Sequence, residues 1–437
     1  MISAILRYSA LCSILLLVAG CGGSSTGGTG GGGGGGNNAT TVTVAFTGAT
    51  PTAVATRIGS GSFASAALSS GGVSISLPSG TTGFGVAYVC PAQTQVVGLT
   101  SEQVTSQVVA EGTTADGTSF TLTCPSTPAA GATGTLTGSV DASAIPGTTF
   151  LNIDAQNGSS LLTDYSNLLV DSFSFSAPAG SDRVDVLAYQ MTLNGFELSA
   201  SLTAIKTFTG QAVPGALNGG STVVLTAADA TTPEPVTFIN PPPGFGTPTI
   251  QASFQHSGGK FGTLLAAGNL TSYPAMPAGV VNSGDTYFVE AEANDTGTGS
   301  AVATVSTLSA AAPLSVTFPP AWAYSGPAPA ALPTMDFVYS GFAGKSGVVQ
   351  LGMLTWSPAA ATMSRYQMMA TANYQNGATS LTFPGLSGIP GFLAAPPSAA
   401  QVDWSASIFE SSSGFANTPP AGSTLSLVLN SGVYLVP

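Results

Sequence analysis

The stretch "SFSFSAPAGSDRVDVLAY", residues 172–189, alternates apolar and polar residues on both sides of a short turn. Phe173 and Phe175 fall on one face of an extended chain, and Val184 and Val186 do the same after the turn. Alternation with period two is typical of half-buried strands, and proline with glycine is typical of the turn between them. Similar patterns recur along most of the chain. The sequence therefore predicts an all-β fold.

Internal repeats divide the chain into modules. "SISLPSG" at 74–80 matches "SFSAPAG" at 174–180, and "PTIQASFQHSGGKFG" from Pro248 matches "PTMDFVYSGFAGKSG" from Pro333. Repeats of many short strands predict tandem antiparallel β-sandwiches. The predicted modules are residues 41–133, 134–235, 236–330 and 331–437, with the last similar to the one before it.

The strand-Pro-x-Gly-strand element resembles a hairpin of the carboxypeptidase-regulatory-like, transthyretin-like β-sandwich modules of bacterial surface proteins. The likeness covers a short part of each of the first two modules. It implies that the modules are Ig-like or transthyretin-like sandwiches.

Two segments carry a competing helical pattern. In the first, apolar residues spaced three and four apart predict a short helix packed on a sheet. These residues are Leu161, Leu162, Tyr165, Leu168 and Leu169. A second helix candidate is the segment 100–107.

The N-terminal segment predicts the protein's location. Arg7 precedes a short apolar run at 8–20, which has the pattern of a signal peptide and is too short to span a bilayer. Leu17-Val18-Ala19-Gly20-Cys21 resembles the lipobox of bacterial lipoproteins. The resemblance implies removal of the signal peptide 1–20 and lipidation of Cys21, with palmitate among the acyl groups. The alternative is an ordinary signal peptide with an incidental cysteine.

The residue after Cys21 is Gly22 rather than Asp, which by the same resemblance indicates the bacterial outer membrane, facing the periplasm or the cell surface. Residues 21–40 are the lipidated cysteine and a linker composed mainly of glycine. Such a chain is a flexible coil with a reach of roughly 25 Å. The sequence predicts a folded body held off the membrane by a lipid-anchored tether.

The composition limits the classes of partner. Charged residues make up 6% of the 437, and seven Lys and Arg face 19 Asp and Glu, for a net charge of −12. Without clusters of Lys and Arg, binding to nucleic acid is excluded, and so is electrostatic attachment to anionic lipids. The expected contact with the membrane is the N-terminal lipid anchor.

Cys90 and Cys124 each point to the same side as the large apolar residues of their strands. An exported chain lies in an oxidising compartment, so we expect a disulfide between them. The alternative is two buried free thiols.

Few residues could carry chemistry. The one histidine, His256, lies in a turn-like stretch and is expected to be a solvated surface residue. We expect no enzyme, because general acid and base catalysis needs titratable groups, and we expect no cofactor. The Ca²⁺ candidate consists of Glu290, Glu292 and Asp295. The two glutamates could also be a glycosidase pair, and the favoured alternative is a solvated strand face.

Trp322 and Tyr324 lie in a proline-rich loop, where rings held in place could form a platform for a glycan or a peptide. The favoured alternative is a loop that turns its aromatic rings inward to close the end of a sandwich. The sequence thus predicts a lipid-anchored cell-surface β-sandwich protein with a binding, adhesive or structural role, whose partner is a glycan or an envelope protein. Two alternatives remain: an enzyme acting on an envelope or extracellular polysaccharide, and an accessory subunit of an export or assembly complex.

Overall fold

The computed structural model describes residues 39–97, 100–125, 132–157, 160–181, 183–194, 197–257, 262–295, 297–345, 347–412 and 420–437. These residues form 29 β-strands, one short helix α1 (Ala372–Gln375) and two 3₁₀ turns. The predicted all-β fold is confirmed.

The strands fall into four groups by their pairing, which we call units 1 to 4. Unit 1 contains β1 (Thr40–Gly48), β2 (Ala53–Ile58), β3 (Ala64–Ser65), β4 (Gly72–Leu77), β5 (Gly83–Val89), β6 (Gln93–Val97), β7 (Thr100–Thr113) and β8 (Ser119–Cys124). Unit 2 contains β9 (Thr133–Asp141), β10 (Phe150–Asn157), β11 (Ser160–Ser166), β12 (Val170–Pro178), β13 (Arg183–Asn194), β14 (Glu197–Thr209), β15 (Gly215–Ala216) and β16 (Val223–Val224).

Unit 3 contains β17 (Thr232–Ile239), β18 (Thr249–Gln255), β19 (Gly262–Gly268), β20 (Ser272–Ala275), β21 (Thr286–Asp295), β22 (Ser300–Leu308) and β23 (Leu314–Thr317). Unit 4 contains β24 (Thr334–Asp336), β25 (Val348–Trp356), β26 (Thr362–Thr371), β27 (Ser380–Thr382), β28 (Gln401–Ser411) and β29 (Thr424–Leu435), with α1 after β26.

All four units share one strand order. Four strands of each unit lie in a large sheet, in the orders β3-β2-β5-β7, β11-β10-β13-β14, β19-β18-β21-β22 and β26-β25-β28-β29. In unit 1 a fifth strand, β6, joins the same sheet by pairing antiparallel with β7. The other strands form small sheets, β4-β1-β8, β12-β9-β15 with β16 also on β9, β20-β17-β23 and β24-β27. In the first three units the first strand pairs in parallel with the last.

The large sheet is continuous through all four units. Strands pair edge to edge at three joints, β14 with β19, β22 with β29, and β26 with β7. The units therefore follow one another along the sheet in the order 2, 3, 4, 1, and β11 and β3 are its two ends.

The hydrophobic core also crosses the units. Units 1 and 2 each bury a core of their own between the two sheets, around Tyr88 and Leu151 respectively. A larger core fills units 3 and 4, and it includes Ala87 of unit 1 and Leu187 of unit 2. The large sheet is thus buried on both faces in parts of units 1 and 2, and the joints are packed as well as hydrogen-bonded.

The predicted helix at 161–169 is wrong, because residues 160–166 form strand β11. Each residue of β11 pairs with a residue of β10, from Leu151 opposite Ser166 to Asn157 opposite Ser160. The helix-like spacing does not describe a buried face, since Tyr165 and Leu168 are exposed. Pairing at the end of a sheet overrides the local pattern. The second candidate, 100–107, is likewise strand, within β7.

The repeats correspond to the structure unequally. The turns at Gly80 and Gly180 both connect a small sheet to the large sheet, and both glycines have positive φ, 82° and 65°. The second repeat aligns β18 of the large sheet with β24 of a small sheet, so it does not match equivalent strands. The predicted boundary between residues 235 and 236 falls inside β17.

Candidate functional site

The predicted lipid attachment at Cys21 lies outside the described residues, and it stays a prediction. The described chain starts at Ala39, and β1 begins one residue later, at Thr40. The first strand of the body therefore follows directly on the predicted tether.

Strand β1 is held on both sides within the small sheet of unit 1. It pairs antiparallel with β4 and parallel with β8, from Thr43 opposite Ser119 to Gly48 opposite Cys124. A pull on the N-terminus of β1 along the strand shears the hydrogen bonds to β8 together, because the force runs along the strands and the bonds connect them side by side.

A disulfide connects this small sheet to the large sheet. Cys124 ends β8, and Cys90 follows β5 directly, with an S–S distance of 2.08 Å and a Cα–Cα distance of 5.4 Å. The predicted disulfide is confirmed. Both cysteines are buried, at 2% and 0% exposure. The strand that pairs with β1 is thus covalently tied to the sheet that runs through the whole chain.

Unit 1 is tied to unit 4 by a buried charge cluster at the β26–β7 joint. Arg57 on β2 forms an ion pair with Glu111 on β7 and donates a hydrogen bond to the hydroxyl of Tyr374 in α1. The Arg57 guanidinium also lies 4.9 Å from the centre of the Phe63 ring. Burial raises the pKa of Glu111 to about 7, against the opposing attraction of Arg57.

Asp116 makes a second set of contacts across the same joint. Its carboxylate accepts hydrogen bonds from the Thr371 hydroxyl at 2.6 Å and from the Asn373 side chain at 2.7 Å. It also accepts one from the Thr113 N–H at 2.8 Å, which fixes its own turn. Neither cluster was predicted from the sequence. The available signal was a pair of opposite charges, Arg57 and Glu111, inside apolar strands of a chain with few charges.

The aromatic pair predicted as a platform is turned inward. Trp322 is 4% exposed, and its ring stacks on Tyr324 at 4.9 Å and on Phe337 at 5.6 Å. The indole N–H donates to the carbonyl of Val338 at 3.1 Å. Trp404 approaches the ring of Tyr324 edge-on. An exposed platform built on Trp322 is therefore contradicted, because burial of the indole removes apolar surface from water and satisfies its one donor.

The structure does not bring the three Ca²⁺ candidates together. Glu290 and Glu292 are half-buried on one face of β21, and Asp295 is an odd number of residues away on the same strand. The Asp295 carboxylate instead accepts hydrogen bonds in its own turn, from the Gly297 N–H and the Thr298 hydroxyl. Among the described residues no group of three His, Cys, Asp or Glu could hold a metal. Burial and the neighbouring Glu292 raise the pKa of Glu290 to about 8.

His256 is not the solvated residue that the sequence predicts. Its Nδ1 lies 2.9 Å from Oδ2 of Asp285, which is 3% exposed. Asp285 also accepts hydrogen bonds from the N–H groups of Ser257 and Asn282. The histidine thus joins two turns of unit 3, and the sequence signal for it was the aspartate at a turn position before β21.

Another buried ion pair lies within unit 2. Arg183 contacts both oxygens of the buried Asp185 at 2.7 and 2.9 Å, and Thr207 donates to the same carboxylate at 2.6 Å. Burial raises the pKa of Asp185. These contacts place scarce charges in structural roles within the sheets.

A comparison with protein-family models finds no match, and no curated protein matches significantly. Two solved structures are similar at a very low level. The Bacillus anthracis TIE protein is 9% identical with a TM-score of 0.14, and the match covers 64% of this chain and 50% of that one. The pilus adhesin SpaC from Lactobacillus rhamnosus GG is 13% identical with a TM-score of 0.13, covering 77% and 43%.

The chain therefore spans half or less of the length of these two structures. Among the residues that the structure describes, none of the helices has the length and apolarity of a membrane span.

Proposed function

We propose that this chain is a lipid-anchored protein of the bacterial outer membrane, with an adhesive or structural role at the cell surface that requires it to bear load. The observation that carries the proposal is the position of the Cys90–Cys124 disulfide beside the strand that receives the tether. It crosses between the two sheets of unit 1 at the end of β8.

A force applied at the membrane would enter the body through a continuous series of contacts. A pull on the tether reaches β1, passes through hydrogen bonds to β8, and crosses the disulfide into the large sheet. From there the β26–β7 joint carries it to unit 4, reinforced by Arg57, Glu111 and Asp116. The concentration of these contacts along the path from the anchored end into the sheets supports a load-bearing role rather than display alone.

The charge distribution supports a binding or structural role over catalysis. The buried carboxylates Glu111, Asp185 and Asp285 are each held by cations, hydroxyls or backbone N–H groups of this chain. We propose that the partner is a glycan or an envelope protein contacted through uncharged, hydroxyl-rich surface, and that the membrane is contacted through the acyl groups on Cys21.

The lipid anchor and the location at the cell surface are tested in bacterial cells that express the full chain or its Cys21→Ala variant. Radiolabelled palmitate should enter the wild-type chain and not the variant, and proteinase K added to intact cells should remove the body. Palmitate labelling that is equal in the two chains would contradict the anchor.

The test of the role uses the same cells on an immobilised glycan array under flow. Cells with the wild-type chain should be retained better than cells without it. The double variant Cys90→Ser, Cys124→Ser should match the wild type at low shear and lose retention at high shear. Retention that does not differ from that of cells lacking the chain at any shear would overturn the adhesive role.

A second candidate function is hydrolysis of an envelope or extracellular polysaccharide, and Glu290 is the observation that favours it. With a pKa of about 8 this carboxyl is mainly protonated at neutral pH, as a general acid must be, and Glu292 lies two residues away. Release of reducing sugar from bacterial envelope polysaccharide that is lost in Glu290→Gln would support it. The same release from the variant would contradict it.

A further inference from the structure

Strand β11 is an open end of the large sheet. It pairs with β10 through all seven residues, and within the described residues no strand pairs with its other side. The N–H of Tyr165 is held by the carboxylate of the neighbouring Asp164 instead of a strand. The other end of the large sheet, β3, has two residues, and such a short edge offers little to pair with.

The position of β11 in its unit is a joining position elsewhere in the chain. By strand order, β11 of unit 2 corresponds to β19 of unit 3 and β26 of unit 4. Both of those strands pair with the adjacent unit, β19 with β14 and β26 with β7. The same place in unit 2 is left without a neighbour, and in unit 1 it is held by the two-residue β3.

The surface around this edge is apolar and lacks the usual protection against pairing. Exposed fractions are 63% for Tyr165, 56% for Leu168 and 58% for Val170, and Leu162 is 37% exposed. Edge strands are commonly protected by lysine or proline, and β11 contains neither. Its one charge is Asp164.

We propose that the edge of β11 pairs antiparallel with β11 of a second copy of this chain. Within the described residues a copy offers three open edges of its large sheet, and β11 is the longest of them, with seven residues against five in β6 and two in β3. The chain itself contains a precedent for pairing between equivalent strands, because β22 and β29 are the last large-sheet strands of units 3 and 4 and pair antiparallel over seven positions.

The sequence of β11, "SLLTDYS", fits its own antiparallel copy. With Thr163 opposite Thr163 of the second copy, Leu161 faces Tyr165 and Leu162 faces Asp164. Apolar and threonine pairs directly opposite one another stabilise antiparallel strands, and this register places no two carboxylates directly opposite. The contact is two-fold symmetric and closes on itself, so it gives dimers and not fibres.

One strand pair with its flanking leucine and valine is a small interface, so we expect association in the micromolar range, on the order of 10 µM. Confinement of copies to a surface raises their effective concentration and favours the dimer. The inference does not depend on the proposed function, since pairing needs neither the lipid nor a ligand.

The test uses cysteine cross-linking in the full chain, with Cys12→Ser and Cys21→Ser in every sample so that only the introduced thiol is free. Opposed residues of an antiparallel pair have Cα atoms about 4.5–5.5 Å apart, which is within the range of a disulfide. Thr163→Cys should therefore give a covalent dimer on mild oxidation. Asp164→Cys on the same strand and Val433→Cys, at a position 63% exposed on β29, are the controls.

We expect at least about fivefold more dimer from Thr163→Cys than from either control, since only Thr163 meets itself in this register. Sedimentation of chains without an introduced cysteine should show a dimer that Tyr165→Lys dissociates and Leu193→Lys, at a position 71% exposed, does not. Equal cross-linking at the three positions overturns the proposal, and so does a monomer at 100 µM, about tenfold above the expected midpoint. A dimer unaffected by Tyr165→Lys assigns the contact to another surface and also overturns it.

Discussion

The guanidinium of Arg57 on β2 donates a hydrogen bond to the hydroxyl of Tyr374 in α1, 317 positions later in the chain. The same guanidinium forms an ion pair with Glu111, whose side chain is 2% exposed. One arginine thus joins three elements, two in unit 1 and one in unit 4. The parallel pairing of β7 with β26 lies beside it, so side chains and main chain hold the same joint.

Arg57→Ala should lower the free energy of unfolding by about 3–5 kcal/mol, because it leaves Glu111 buried without its cation. The double variant Arg57→Met, Glu111→Met should be much less destabilised, since it removes both charges. Urea denaturation followed by tryptophan fluorescence measures both values. The control is Lys206→Ala, whose ion pair with Asp229 is long, at 3.8 Å, and partly exposed, and which should cost less than about 1 kcal/mol. Equal losses in Arg57→Ala and Lys206→Ala would show that the joint does not depend on the buried pair.

Removal of the disulfide in Cys90→Ser, Cys124→Ser should cost about 3–4 kcal/mol by the loop-closure estimate for a separation of 34 residues. The measurement is urea denaturation of the oxidised chain against the variant. Wild-type protein treated with reductant is the matched control and should unfold at the same urea concentration as the variant. A variant as stable as the oxidised wild type would exclude a reinforcing role for this bond.

Trp322→Ala should lower the free energy of unfolding by about 3–5 kcal/mol, because it leaves a cavity between Tyr324 and Phe337 and removes the donor to Val338. Thermal unfolding by circular dichroism measures the change. Leu193→Ala, at a side chain 71% exposed, is the control and should change stability by less than about 0.5 kcal/mol. Unchanged stability in Trp322→Ala would show that the indole is not part of the core, and the surface-platform hypothesis would then stand.

The alternation around Phe173 and Val184 predicts the fold class because a period of two leaves a half-buried strand as its only simple interpretation. The segment from Leu161 to Leu169 misleads because both its strand and its loop leave apolar residues exposed, so hydrophobic spacing no longer reports burial. The equivalence of units 3 and 4 could not be read from the second repeat. That repeat aligns strands which occupy different sheets.

Local sequence patterns likewise predict only some of the side-chain contacts. Cys90 and Cys124 could be paired from the sequence because both point to the core side of their strands and thiols oxidise in the compartment that the N-terminal pattern predicts. The contact between Arg57 and Tyr374 could not be predicted from the sequence. It depends on which strand edges join, and no local pattern encodes the β26–β7 pairing. Trp322 was ambiguous for a similar reason: a proline-rich loop fixes a ring without showing which side faces water.

Glu290 should make the protein less stable as the pH rises through neutrality. Burial and Glu292 raise its pKa from 4.5 to about 8, so between these values the folded chain keeps a proton that the unfolded chain has lost. The contribution to stability is fully present below pH 4.5 and is lost as the pH approaches 8, with a slope of at most about 1.4 kcal/mol per pH unit. Glu111, with a pKa of about 7, acts in the same direction. Urea denaturation at intervals from pH 5 to pH 8.5 should show this decline in the wild type.

Glu290→Gln should flatten the pH dependence, because the amide keeps the neutral shape of the protonated carboxyl and has no proton to lose. The remaining decline then reports the other carboxyls whose pKa is raised by burial, among them Glu111, Asp154 and Asp185. The double variant Arg57→Met, Glu111→Met removes the part that belongs to Glu111. Glu410→Gln, at a half-buried position on β28, is the control and should leave the wild-type profile intact. If Glu290→Gln and the wild type lose stability in parallel across this range, Glu290 is ionised in the folded protein at neutral pH. Its role as a general acid in the second candidate function then also fails, because an ionised carboxylate has no proton to give a leaving group.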